Sequence, residues 1–148
     1  MDRVLAIARK HDLRVLEDCA QSVGASHKGR PVGSMGDVGI YSLQLNKTIT
    51  SGEGGAVVTS NPVLFERAAR FHDLGGLRAP HQDEIGKQQL DWFIGSNFRM
   101  SEFTGGVLLA QTRKLNGGRK ATSPSQKTNG IKQVLGQRCH RMRLQFFR

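Results

Sequence analysis

Three short apolar runs limit what this chain can fold into: "RVLED" (14–18), "GDVGIYSLQL" (36–45) and "GGAVVTS" (54–60). Each has the length of a strand, carries β-branched or aromatic residues, and is bounded by glycine or by charge. Stretches of helical period surround them. Val4, Leu5, Ile7 and Ala8 fit one face of a helix over residues 2–10. Asn61 followed by Pro62 marks a second helix start, a capping side chain and then a first-turn residue whose missing N–H costs nothing. That helix is expected to run to about Leu74 with Leu64, Phe65, Ala68, Ala69 and Phe71 inward, and to end at Gly75 and Gly76. Ser101 heads a third helix carrying Val107, Leu108, Leu109 and Leu115, weakened by ~1 kcal/mol at each of Gly105 and Gly106. Strands alternating with amphipathic helices predict an α/β layer, a mostly parallel sheet with flanking helices. Ligands of such sheets collect beyond the carboxyl ends of strands, which singles out Asp18, Ser42 and Lys47.

The formal charge of +10 suggests a nucleic-acid partner until its distribution is followed along the chain. Residues 1–102 hold 12 basic and 12 acidic side chains, and the other 10 basic residues follow with no acid among them. The expected organisation is therefore a neutral folded segment, residues 1–115, and a basic tail, residues 116–148. The tail begins "NGGRKATSPSQKTNG", too poor in apolar surface to offset the entropy of ordering, and is expected to be disordered. A module gripping phosphate backbones through this tail is the rival functional class. The tail has no recognisable motif and lacks interleaved aromatics along most of its length, so nucleic acid is not an expected partner. No run is apolar enough to cross a bilayer, and "MDRVLAIARKHD" has neither the basic start nor the long apolar stretch of a secretory signal. The expected location is cytoplasmic. Cys19 and Cys139 stand far apart without a CxxC pair, and the five histidines lack ligand spacing, so neither a disulfide framework nor a metal site is expected. The glycines of 52–55 match neither GxxxxGK[ST] nor GxGxxG.

Taken together, the polar residues at the strand ends suit one cofactor. Pyridoxal phosphate needs a lysine amine for a Schiff base, a carboxylate on its pyridinium nitrogen and donors around its phosphate. Lys47, Asp18 and Ser42 supply one of each. The stretch around Lys47 is apolar and without acids close in sequence, a setting suited to an amine that acts as a nucleophile. Gly52, Gly54 and Gly55 allow a tight backbone turn with room for a flat ring.

"EDCAQSVGA" (17–25), "YSLQLNKTITSGEGGAVVT" (41–59) and "GSNFRMSEF" (95–103) closely resemble the DegT/DnrJ/StrS-type sugar aminotransferases, pyridoxal-phosphate enzymes of the aspartate aminotransferase fold. The resemblance covers residues 1–115 and implies a partial large domain of that fold. It implies that Lys47 is the Schiff-base lysine and proton shuttle, that Asp18 pairs with the pyridinium, and that Gln21 packs on or hydrogen-bonds the ring. Ser42 would bind the phosphate, and Asn97 would look across a homodimer interface to the partner's cofactor phosphate. Arg99 and Glu102 would be structural members of their motif, and no role passes to His72. The implied reaction moves an amino group from an amino-acid donor to a keto sugar, commonly nucleotide-linked. Members of the family are longer at both ends, with a preceding segment that completes the cofactor site and a small carboxy-terminal domain. This chain alone is accordingly expected to have little or no turnover. An inactive remnant of the same fold is the remaining alternative.

Overall fold

The computed structural model describes residues 1–76, 90–115 and 143–147. The polar connection at 78–89, most of the basic tail and Cys139 lie outside them. Helix α1 (Asp2–Lys10) leads into strand β1 (Leu16–Asp18), followed by a small hairpin of β2 (Ser26–His27) and β3 (Arg30–Pro31). Then come β4 (Val38–Ser42), β5 (Gly55–Thr59), α2 (Pro62–His72), α3 (Glu102–Leu115) and β6 (Arg143–Phe147). The main sheet has the order β1–β4–β5–β6.

The α/β class stands, with a correction to the sheet. Only β1 and β4 pair in parallel, while β4 with β5 and β5 with β6 are antiparallel. The segment joining β4 to β5 carries no helix to cross over the sheet, as a parallel return ordinarily requires. The chain therefore folds straight back. Strand β6 lies within the stretch expected to be disordered, and its backbone pairs with β5 from Gly55↔Phe147 to Thr59↔Arg143.

The helix starts follow their caps. Asn61 Oδ1 accepts from the Val63 and Leu64 amides at 2.9 and 3.2 Å, and Ser101 Oγ accepts from the Thr104 amide at 3.2 Å. Helix α2 ends at His72, two residues before the expected Leu74, because Leu74 is itself left-handed (φ 63°) and the Gly75 amide turns back to the Arg70 carbonyl at 2.7 Å. Its inward face also differs. Phe65 and Ala69 are buried as expected, Phe71 is about half exposed, and Glu66 and Arg70 are buried as an ion pair at 2.8 Å. In α3 only Leu108 of the Val107–Leu109 triplet is buried, since consecutive residues on a helix cannot share one face.

Two glycine contacts fix how segments cross. A Cβ at Gly95 would come within 2.4 Å of the Gly75 amide and 2.6 Å of the Phe71 carbonyl, so the segment carrying "GSNF" lies directly on the end of α2. Arg99 then reaches the buried Asp73 as an ion pair, consistent with its structural role. The main apolar cluster holds Leu43, Ile49 and Leu108, with Val23 and Met100 packed against it. These five residues come from the segment after β1, the β4–β5 loop, the "GSNFRM" stretch and α3. One cluster thereby ties the three motifs to each other.

Candidate functional site

Asp18 and Ser42 occupy the carboxyl ends of adjacent parallel strands. The register pairs Leu16 with Val38, Glu17 with Gly39 and Asp18 with Ile40. Ser42 lies two residues beyond Ile40, so by strand alternation it shares a sheet face with Asp18, while Glu17 takes the opposite face. The alternation separates two neighbouring carboxylates into different tasks. Glu17 is buried and accepts from the amides of Gly33 (2.9 Å), Met35 (2.6 Å) and Gly36 (2.6 Å), pinning the turn that precedes β4. Asp18 is exposed, and its Oδ1 accepts from the Ala20 amide at 3.0 Å in an Asx turn. Its other oxygen makes no hydrogen bond among the described residues.

Gln21 sits exposed in the turn that follows, closed by the Ser22 amide donating to the Cys19 carbonyl at 3.0 Å. Ser42 is half-buried; its Oγ accepts from the Gln44 amide at 3.3 Å, an acceptor role that leaves its hydroxyl hydrogen available. Lys47 lies in the loop that leaves the same end of β4. It is half-buried, its amide donates to the Gln44 carbonyl at 3.0 Å, and among the described residues its amine has no ion-pair partner.

The loop is held at its neck. The Leu43 amide donates to the Gly54 carbonyl at 2.8 Å, and the Leu43 carbonyl accepts from the Ser51 amide at 2.9 Å and the Thr50 hydroxyl at 3.0 Å. Within it, the Gln44 side chain accepts from the Asn46 amide at 2.9 Å. Leu43 and Ile49 anchor the loop in the core at 2% and 5% exposure. Sequence reasoning passed over Glu17, Gln44 and Thr50. The one available signal was the Thr50-Ser-Gly52 spacing, which suits a hydroxyl bonding the amide two residues on.

Asn97 stands elsewhere. Its backbone pairs with Asp73 at the end of α2, and its Oδ1 accepts from the Arg99 amide at 3.3 Å. These contacts do not join it to Asp18, Ser42 or Lys47. On the far side of the Asp18 strand, burial pushes the Cys19 thiol up from its ordinary value, with Glu17 and Asp18 adding to the effect. Burial raises the Tyr41 phenol as well, and its hydroxyl donates to the Val32 carbonyl at 2.5 Å. Both groups stay protonated at neutral pH. Among the described residues no cluster of His, Cys, Asp or Glu is placed to hold a metal, and no helix is long and apolar enough to cross a membrane.

The chain is similar to known proteins. The chain is 41% identical over 119 residues to L-glutamine:2-deoxy-scyllo-inosose aminotransferase of Streptoalloteichus tenebrarius, covering 78% of this chain and 28% of the relative. It is 39% identical over 111 residues to GDP-perosamine synthase of Escherichia coli O157:H7, covering 75% of this chain and 29% of that one. Among solved structures, an aminotransferase from Psychrobacter cryohalolentis superposes with a TM-score of 0.68 at 35% identity, over 78% of this chain and 30% of its own. The chain thus spans under a third of the length of these relatives, and its fold is part of the large domain of the aspartate aminotransferase type. A family model matches residues 1–129, beyond the 115 expected, and by that match the chain belongs to the DegT/DnrJ/EryC1/StrS aminotransferase family.

Proposed function

We propose that this chain carries the lysine side of a pyridoxal-phosphate site, in a protein that transfers an amino group from an amino acid to a keto sugar. The β1–β4 register supports this most directly, because Asp18 and Ser42 share one face at adjacent strand ends and the Lys47 loop departs from that same end. The donor set fits the group chemically. A carboxylate with an unused oxygen suits a protonated ring nitrogen, a hydroxyl with an available hydrogen suits a phosphate, and an amine without an ion-pair partner suits a carbonyl. When bound, pyridoxal phosphate supplies an electron sink for negative charge on the carbon bearing the transferred amine.

The chain's own residues do the rest. Asp18 holds the proton on the ring nitrogen, Ser42 donates to the phosphate, and Gln21 packs on or hydrogen-bonds the ring. Lys47 makes the covalent link and then carries a proton between the two carbons that exchange the amine. Asn97 serves a second copy across a homodimer interface, a reading supported by the exposure of Trp92 (89%) and Ile94 (93%) just before it. Glutamine or glutamate is the donor and a cyclic or nucleotide-linked keto sugar the acceptor, by likeness to the relatives. The protein works in the cytoplasm.

Borohydride trapping tests the reading. The chain is mixed with pyridoxal 5′-phosphate, reduced, digested and mapped by mass spectrometry. The adduct is expected at Lys47 in preference to Lys10, Lys28 and Lys114, and Lys47→Ala is expected to abolish it. Labelling spread evenly over the lysines would sink the proposal.

A further inference from the structure

We infer that Thr50 is a positioning residue for Lys47, acting through its hydroxyl as the clasp of the loop that carries the amine. The inference rests on Lys47 being the residue that bonds the cofactor. Thr50 Oγ1 donates to the Leu43 carbonyl at 3.0 Å and accepts from the Gly52 amide at 2.8 Å. One atom therefore joins the residue where the chain leaves β4 to the residue where it turns back toward β5. Gly52 is left-handed (φ 88°), a conformation glycine adopts without strain, and its amide is held by that hydroxyl.

The neck is closed on both sides of the hydroxyl. The Ser51 amide shares the Leu43 carbonyl at 2.9 Å, and Ile49 fixes the preceding residue in the core. Residues 44–49 are left as a short excursion with Lys47 near its middle. Among the described residues the hydrogen bonding of Lys47 is local, from its amide to the Gln44 carbonyl at 3.0 Å, so what orients the amine relative to Asp18 and Ser42 is the closure of the loop. Closing a loop restricts its conformers before ligand binding, which lowers the ordering cost at the moment the covalent bond forms. A methyl group in place of the hydroxyl keeps the packing and removes both bonds.

The test is selective trapping in the full 148-residue chain. Pyridoxal 5′-phosphate at limiting concentration is reduced onto the protein with borohydride, and the ratio of label at Lys47 to label at Lys28 is read by peptide mass spectrometry. Thr50→Val is expected to lower that ratio about tenfold, the net size of the two lost hydrogen bonds together, and Thr50→Ser to restore most of it. A role confined to stability would leave the ratio unchanged in the folded fraction. If Thr50→Val loses its folded circular-dichroism spectrum, Thr50→Ala is compared with Thr50→Ser instead. A Thr50 variant lacking the hydroxyl that traps at Lys47 as selectively as the parent overturns the inference. Failure of the parent itself to favour Lys47 is a different result, and removes the underlying assignment of the lysine.

Discussion

Replacing Glu17 by glutamine leaves the side chain's length and shape intact and exchanges one acceptor oxygen for an NH₂ group. In the folded chain the carboxylate is buried, with Oε1 accepting from Met35 and Gly36 and Oε2 accepting from Gly33. A glutamine can keep the Oε1 pair, but it then presents a donor to the Gly33 amide. One charge-assisted bond is lost, and a buried N–H is left facing another donor. A hydrogen bond to a charged group contributes about 1.5–3 kcal/mol, and the surviving pair is weakened by loss of the charge, so the expected cost is about 2–4 kcal/mol. For a chain of this length each kcal/mol moves the melting temperature by roughly 2–4 °C, and Glu17→Gln should therefore melt roughly 5–15 °C lower. Glu17→Ala strands all three amides and should cost more, enough to leave the chain largely unfolded at 25 °C. Thermal and urea unfolding followed by circular dichroism measure both. A glutamine variant melting within 2 °C of the parent would refute the reasoning that this carboxylate holds the turn before β4.

Gly95→Ala should destabilise by about 3 kcal/mol or more, because the added carbon would meet the Gly75, Phe71 and Arg70 backbones at 2.4, 2.6 and 2.9 Å, where no side-chain rotation can relieve the clash. Urea unfolding checks it, and a midpoint equal to the parent's would show that the two segments do not cross as described. Stability should also fall on the alkaline side. Burial raises the Cys19 thiol above 9.0 and the Tyr41 phenol above 10.0, so the folded chain keeps protons that the unfolded chain releases. Their contribution is complete below those values and is lost as pH rises past 9 and then 10, by up to about 1.4 kcal/mol per pH unit for each group. Melting curves at pH 8, 9.5 and 11 read the effect, and Cys19→Ala should flatten its first stage. An unchanged melting temperature across that range would contradict both burials.

The elements that sequence made legible are those governed by apolar period and local capping. Asn61 and Ser101 started their helices as expected because a cap is a contact within a few residues, and the apolar runs became strands because their lengths and flanks allow little else. Phe71 faces outward against expectation because periodicity reads apolar side chains and is blind to buried charge. Glu66 and Arg70 took inward positions on α2 as an ion pair, a pairing at i,i+4 that in sequence looks like a solvated face. The sheet directions were misjudged for a related reason. Alternation of strands and helices predicts parallel pairing on average, whereas the direction of β5 depended on a loop whose closure lies in the Thr50 hydroxyl and the Leu43 carbonyl. That loop also carries Lys47. The proposed Schiff-base lysine could be named from sequence, since an amine, a carboxylate and a hydroxyl are properties of residue types. Its orientation could not, because it is set by hydrogen bonds between a side chain and backbone groups that only the folded chain brings together.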